Sequence, residues 1–301
     1  MGAALIGWGL WAALAMGPGL PADTFQDRAV FFERSGSVYR FDPATGSATL
    51  FQDRAQNPAC SRPRDLLAFT RDGNVWFRTL STGATTQVTD FQGDTGEALE
   101  DLQLPAGRDC VTFIRSANSG AGPGMRCIWV ASPGRRPVQY VGNSWVSGSA
   151  GTMVSDIGAA SWSPDGRRMA FSRGGDLWMA KIGDGLEDEM EDRVLPLAQL
   201  DGFNEGSPAS TAVLGIGWSP DGRRLVLGLS RMGGSGSGRL YLVEPDGKRL
   251  KQIDALENEG APFYLEPGII VFSILGDLWR IRTDGTQRLP FLAGATNACA
   301  Y

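Results

Sequence analysis

Phe69–Trp76 reads FTRDGNVW, and the same frame returns as FERSGSVY at Phe32–Tyr39, FSRGGDLW at Phe171–Trp178 and FSILGDLW at Phe272–Trp279. Each copy places an aromatic seven residues after a Phe, with Gly in the turn between them. Apolar residues alternate on both sides of that turn, the pattern of a β-hairpin that shows one face to a core, and Asp72-Gly73 is a strong turn former. Two more copies fit with longer turns: Phe113 to Trp129 across SANSGAGPGM, and Leu227 to Tyr241 across RMGGSGSG. Six hairpins therefore recur along the chain.

Their flanks recur too. Nine residues before the Phe position stand Cys60, Leu104, Trp162, Trp218 and Phe263, each in a short apolar stretch that ends at a Pro-containing turn and predicts a first strand. After the hairpins, Thr85–Thr89, Arg136–Val141, Arg193–Leu197, Arg249–Ile253 and Thr286–Leu289 predict a fourth. Four strands per unit, with 37 to 63 residues between successive Trp/Tyr positions, predict an all-β fold: a six-bladed β-propeller. The first unit has no first strand ahead of Ala29-Val30-Phe31, whereas the chain ends TNACAY, similar to the QNPACS that opens the second unit. Thr296–Tyr301 is therefore expected to supply the innermost strand of blade 1, closing the ring so that no open edge remains.

Trp162–Arg168 reads WSPDGRR, and Trp218–Arg224 repeats it. Pro164 and Pro220 set φ, Asp165-Gly166 and Asp221-Gly222 make a tight turn between first and second strands, and Trp162 and Trp218 fill space between blades. A turn Asp needs no catalytic explanation. Two copies inside six periodic units resemble the WD-like repeat of the TolB family of bacterial envelope propellers. The resemblance covers roughly residues 24–301, and the motif decays elsewhere to SRPRD, PAGRD and LEPG. It implies a six-bladed ring in the periplasm or otherwise exported. TolB itself carries an α/β domain ahead of its propeller, whereas this sequence passes from its apolar start almost directly into blade 1, so partners bound through that domain do not carry over. Related propellers cap prolyl-oligopeptidase-type hydrolases, but no G-x-S-x-G elbow is present.

Composition narrows the chemistry. The 301 residues contain no histidine, which excludes Ser-His-Asp and Cys-His nucleophiles, His acid/base catalysis and His-ligated zinc. Carboxylate, Lys or Tyr chemistry survives. A net charge of −5 without a Lys/Arg block argues against a nucleic-acid partner. The first 22 residues carry no charged side chain, and the apolar run Ala3–Met16 fits an export signal cleaved near Ala22, or an uncleaved N-terminal anchor. Residues 23–301 then form one propeller domain, expected to be monomeric and to need no cofactor or metal. Cys60, Cys110, Cys127 and Cys299 allow two disulfides or serve as small buried hydrophobes. Inner strands of adjacent blades are expected to lie beyond the roughly 4.4–6.8 Å Cα separation of a disulfide, which disfavours Cys60–Cys299. Pairing Phe113 with Trp129 puts Cys110 and Cys127 on opposite faces of their hairpin.

Topology assigns loops to faces. Turns between strands 2 and 3 share a face with the segments joining one blade to the next, so Ser116–Met125 and Arg231–Gly238 lie with Phe91–Glu100, Gly142–Asp156, Asp201–Ala212 and Asp254–Gly260. On this variable face Phe91, Trp145, Phe203, Asn204 and Glu205 are the candidate binding residues, since aromatics bury area at little entropic cost and polar neighbours give direction. The competing reading is that the aromatics tuck under their own loops. The acidic run Glu187–Asp192 is expected in a solvated connection on the opposite face. Two functions remain: a non-catalytic exported propeller that binds a protein or peptidoglycan-associated partner, and a carboxylate-based or cation-dependent enzyme of lyase or lactonase type acting on a saccharide or small molecule at the channel mouth.

Overall fold

Each of the six aromatic or apolar pairs lies directly opposite its partner on neighbouring strands: Phe32 and Tyr39, Phe69 and Trp76, Phe113 and Trp129, Phe171 and Trp178, Leu227 and Tyr241, Phe272 and Trp279. The computed structural model describes residues 29–91, 98–117, 125–141, 157–183, 188–197, 211–231, 238–254 and 261–301. Blade 1 contains β1 (Val30–Arg34), β2 (Ser37–Asp42) and β3 (Ser47–Gln52); blade 2 contains β4 (Gln56–Ser61), β5 (Leu66–Arg71), β6 (Asn74–Thr79) and β7 (Thr85–Gln87). Blade 3 is β8 (Leu99–Gln103), β9 (Val111–Ala117), β10 (Met125–Ala131) and β11 (Val138–Val141). Blade 4 is β12 (Ile157–Trp162), β13 (Arg168–Arg173), β14 (Asp176–Ile182) and β15 (Asp188–Pro196). Blade 5 is β16 (Thr211–Trp218), β17 (Leu225–Arg231), β18 (Arg239–Val243) and β19 (Lys251–Asp254), and blade 6 is β20 (Phe263–Glu266), β21 (Ile269–Ile274), β22 (Asp277–Arg282) and β23 (Leu289–Leu292). The last strand, β24 (Thr296–Ala300), pairs antiparallel with β1 and gives blade 1 the order β24-β1-β2-β3. Ring closure by the C-terminal strand is thus as the sequence implies.

Every blade is buried on both faces. Blade 2 sends Leu67 and Phe69 toward blade 1, where they meet Phe31 and Val38, and sends Ala68 and Val75 toward blade 3, where they meet Val111 and Phe113. Equivalent clusters fill the four other blade junctions. This is why the second strands read as continuous apolar runs: β5, β13 and β21 are buried through Leu67–Thr70, Met169–Ser172 and Ile269–Ser273.

The repeated SPDG segment forms the same turn twice. In blade 4 the Ser163 amide donates to Arg168 O at 2.8 Å and the Gly166 amide to Ser163 O at 2.9 Å, while the Ser163 hydroxyl accepts from the Arg168 amide and donates to the Asp165 carboxylate. Ser219, Asp221, Gly222 and Arg224 reproduce it. The hydroxyl donors hold both Asp carboxyls below the usual range. The tryptophans join blades: Trp162 Nε1 donates to Thr112 Oγ1 and Trp218 Nε1 to Ser161 O, each at 2.9 Å.

Two local expectations need correction. The fourth strand of blade 6 is Leu289–Leu292 rather than Thr286–Leu289, because Asp284 accepts from the Thr286 amide and hydroxyl and prolongs the turn. Pro290 is tolerated there, opposite Trp279, because the outermost strand leaves one edge free of ladder bonds. The acidic run is not simply a connection: β15 begins at Asp188, and Met190, Glu191 and Asp192 pair with Lys181, Ala180 and Met179.

Gly166 and Gly222 have the same φ of +68°, yet their surroundings differ. A Cβ at 166 would lie 2.3 Å from Ala106 O, whereas at 222 its nearest neighbour is a Pro164 side-chain atom at 3.7 Å. Both Ala variants carry the left-handed backbone penalty of about 1 kcal/mol, and Gly166→Ala adds roughly 1–3 kcal/mol of overpacking. Chemical denaturation is expected to rank Gly166→Ala clearly below Gly222→Ala; equal losses would contradict the asymmetry.

Candidate functional site

Inner strands bend where they approach the variable-loop face. Register slips beside Asn297 in β24, Asn57 in β4, Asp101 in β8, Gly158 in β12 and Leu214 in β16. A bulge inserts an extra residue and redirects its side chain. Asn297, Asn57 and Asp101 adopt φ of +40°, +50° and +53°, a conformation that Asn and Asp tolerate better than other non-glycine residues. The corresponding lining residues in blades 4, 5 and 6 are Gly158, Leu214 and Ala261. One half of the channel mouth is therefore polar and the other bare.

The polar half is stitched together by hydrogen bonds. Asn297 Nδ2 donates to Asn57 Oδ1 and to Glu33 Oε2, both at 3.1 Å, and Glu33 also accepts from the Asn57 amide. Asn57 Nδ2 donates to Leu99 O at 2.8 Å, and the Ala160 amide donates to Asp101 Oδ2 at 2.7 Å, so the chain of contacts runs from blade 1 to blade 4. In blade 4 the place of Glu33 is taken by Ser172, whose hydroxyl accepts from the Gly158 and Ala159 amides at 2.9 Å.

Above this floor opens a cavity of about 800 Å³. Its rim includes the strand 2–3 turns at Gly36 and Asp72-Gly73 and the inter-blade residues Ala98 and Ala261, which places it on the variable-loop face. Arg54 pairs with Asp72 at 2.7 Å, Arg126 with Glu100, and the Arg71 guanidinium lies 3.9 Å over the Trp76 ring. Arg71 belongs to a repeated Phe-x-Arg pattern: Arg34, Arg71 and Arg173 each cover the aromatic pair of their own hairpin, and Arg115 covers Trp129 of its hairpin together with Phe91. Burial pushes the Asp101 carboxyl up to about 6, against the lowering effect of the Ala160 amide and Gln103. Among the described residues no group of three or more His, Cys, Asp or Glu is placed to hold a metal ion.

Of the five binding residues expected from sequence, Trp145, Phe203, Asn204 and Glu205 lie outside the described residues. Phe91 is half-buried, its ring edge-on to Phe113 at 6.2 Å and Trp129 at 6.4 Å and covered by Arg115 at 4.0 Å. The structural motif residues Trp162, Pro164, Asp165, Gly166, Trp218, Pro220, Asp221 and Gly222 belong to the opposite end of the inner strands. Asn57, Asp101, Asn297, Glu33 and the Phe-x-Arg arginines were not among the expected residues. A signal existed in the Asn shared by QNPACS and TNACAY, which points to the channel mouth as well as to ring closure.

No family model matches the sequence, and no curated protein matches it either. Solved structures do match in fold. TolB from Acinetobacter baumannii superposes with a TM-score of 0.62 at 16% identity, over 91% of this chain and 66% of that one. The fold is a TolB-like six-bladed propeller. This chain spans just under two thirds of that TolB, but the match to a TolB from Agrobacterium tumefaciens covers 96% of that chain, with a TM-score of 0.59 at 16% identity. An oligogalacturonate lyase in complex with manganese also shares the fold, with a TM-score of 0.53 at 13% identity over 84% of this chain and 69% of that one. At such identities the likeness of TolB and of the lyase to this chain is one of fold.

Asp101 gives the site a pH signature. A carboxyl near 6 in the fold and about 3.9 in an unfolded chain is protonated in both states below pH 4, so it costs nothing there. As pH rises from 4 to 6 the unfolded chain ionises first and stability falls; above 6 the penalty is constant. Asp101→Asn keeps an acceptor for the Ala160 amide and removes the charge. It is expected to stabilise the protein at pH 8 by roughly 1–3 kcal/mol, with the gain gone by about pH 4. Thermal melts of both proteins across that range check it.

Proposed function

We propose that this chain is an exported, non-catalytic TolB-like propeller that binds a protein or peptidoglycan-associated partner on its variable-loop face, and that the cavity at the channel mouth receives part of that partner. The observation that carries the reading is the make-up of the cavity: the guanidiniums of Arg54, Arg71 and Arg126 line it together with the amides and carboxylates of Asn57, Asn297, Glu33 and Asp101. Donors and acceptors in one bowl suit a peptide chain, which offers both. Most carboxylates there are engaged in arginine pairs or in stitching one blade to the next, which leaves them less free to act as acid or base. Export rests on the apolar run Ala3–Met16, and the protein is taken to act as a monomer. In this proposal Trp145, Phe203, Asn204 and Glu205 remain candidate partner contacts from the sequence, and Phe91, packed on Phe113 and Trp129 under Arg115, offers the partner its exposed part.

The enzyme reading is favoured by one observation, the raised Asp101 carboxyl, since a carboxyl near 6 can shuttle a proton near neutral pH. Reversing charge at the rim separates the two readings. Arg54→Glu combined with Arg71→Glu is expected to lower capture of a crosslinked envelope partner at least tenfold while leaving the thermal melt within a few degrees. Equal capture by both proteins, or turnover of an oligosaccharide or lactone that disappears in Asp101→Asn, would overturn the binding proposal.

A further inference from the structure

The ring is closed by β24, which is joined to blade 1 through β1 and borders the first strand of blade 2 across the seam. Contacts to blade 2 bracket that seam. At one end Asn297 donates to Asn57; at the other the Tyr301 hydroxyl donates to Asp65 Oδ1 at 3.0 Å. Between them lie two cysteines in equivalent slots, Cys299 opposite Phe31 in blade 1 and Cys60 opposite Leu67 in blade 2. The two side chains pack against one cluster with Phe31, Leu67 and Phe69 and line one channel cavity, on strands that touch across the seam. The double clamp holds these two strands side by side. Both thiols are free, half-buried against Phe31, Leu67 and Phe69, and border a channel cavity of about 280 Å³, which gives a small oxidant access.

We infer that Cys60 and Cys299 are a redox latch, whose oxidation to a disulfide locks the ring at its seam. The oxidant is a low-mass disulfide. One cysteine thiolate attacks a sulfur of that disulfide and expels its other half as a thiolate, which takes up a proton. The second cysteine loses its proton and displaces the remaining half in the same way. Two cysteine thiols are thereby oxidised by two electrons, and one disulfide is reduced to two thiols. Because burial pushes the Cys299 thiol well up, the reaction accelerates as pH rises above neutrality. The bond would close blades 2 to 6 into one covalent loop, and a long loop is where a crosslink restricts the unfolded chain most.

The test is to incubate the full chain with oxidised glutathione at pH 8, block free thiols with an alkylating agent, and map peptides without reduction. The expected result is a Cys60–Cys299 linked peptide with Cys110 and Cys127 alkylated, since Cys127 lies opposite Arg115 and away from Cys110. The melting temperature should rise by about 5–10 °C, return on reduction, and not respond to oxidant in Cys299→Ser or Cys60→Ser. Recovery of both cysteines as alkylated or singly glutathionylated, a link to Cys110 or Cys127, or a Cys60–Cys299 bond with an unchanged melt would each overturn the latch. The wild-type peptide map needs no variant, so a serine variant that folds poorly leaves the question answerable.

Discussion

Every blade must be covered on both faces, and the rest of the structure follows from that demand. A four-stranded sheet whose second strand is buried through Leu67, Ala68, Phe69 and Thr70 cannot stand beside water on either side. Burying one large side chain is worth about 1.5–3 kcal/mol, and each junction gathers several. A row of such sheets has two raw ends, and only a closed ring removes both. Phe32, Val30 and Phe41 at the start of the chain therefore have to meet Leu265, Val271 and Phe291 near its end. Pairing β24 with β1 makes closure a matter of hydrogen-bonded strands as well as of side-chain contact, so these two strands are held from both directions.

The blade junctions are fastened in three chemical ways. Tryptophan indoles reach from blade 4 to blade 3 and from blade 5 to blade 4 near the SPDG turns. Asn297, Asn57 and Asp101 fasten blades 1 through 4 at the opposite end of the channel. Between blades 5 and 6 glycine takes over: a Cβ at Gly215 would fall 2.3 Å from the Ala261 Cα, and one at Gly217 2.6 Å from Pro262 O. Close backbone contact replaces side-chain bonding there. WSPDGRR occurs at the two junctions where an indole reaches back to the preceding blade.

These differences also decide what was legible in the sequence. The hairpins were plain because Phe and Trp or Tyr seven apart across a Gly turn satisfy strand alternation and turn chemistry together, and the insertions in blades 3 and 5 left those pairs recognisable. The outer strands were less clear. Leu289–Leu292 contains a proline, which speaks against a strand until its edge position is known. The channel mouth was the hardest to read, because its character depends on bulges. Asn57 and Asp101 look like ordinary polar residues at strand starts; only a one-residue slip and a left-handed φ make them face the same opening. The expected binding residues are aromatics and their polar neighbours on long inter-blade segments, a criterion that passes over short polar side chains on the inner strands.

The uneven fastening has a consequence for function. A hydrogen-bonding floor that is complete only from blade 1 to blade 4 leaves Gly158, Leu214 and Ala261 with little polar reach, so a ligand in the 800 Å³ cavity meets directional groups on one side and plain wall on the other. Such a site would orient what it holds, since a polar chain turned the wrong way would lose those partners. The same residues that close the ring, Asn297 beside Cys299 and Asn57 beside Cys60, form part of that oriented side. Closure and the polar wall of the cavity therefore share atoms: a change that loosens the seam moves Asn297 and Glu33 with it, and the polar half of the cavity keeps its shape only while the last strand stays in place.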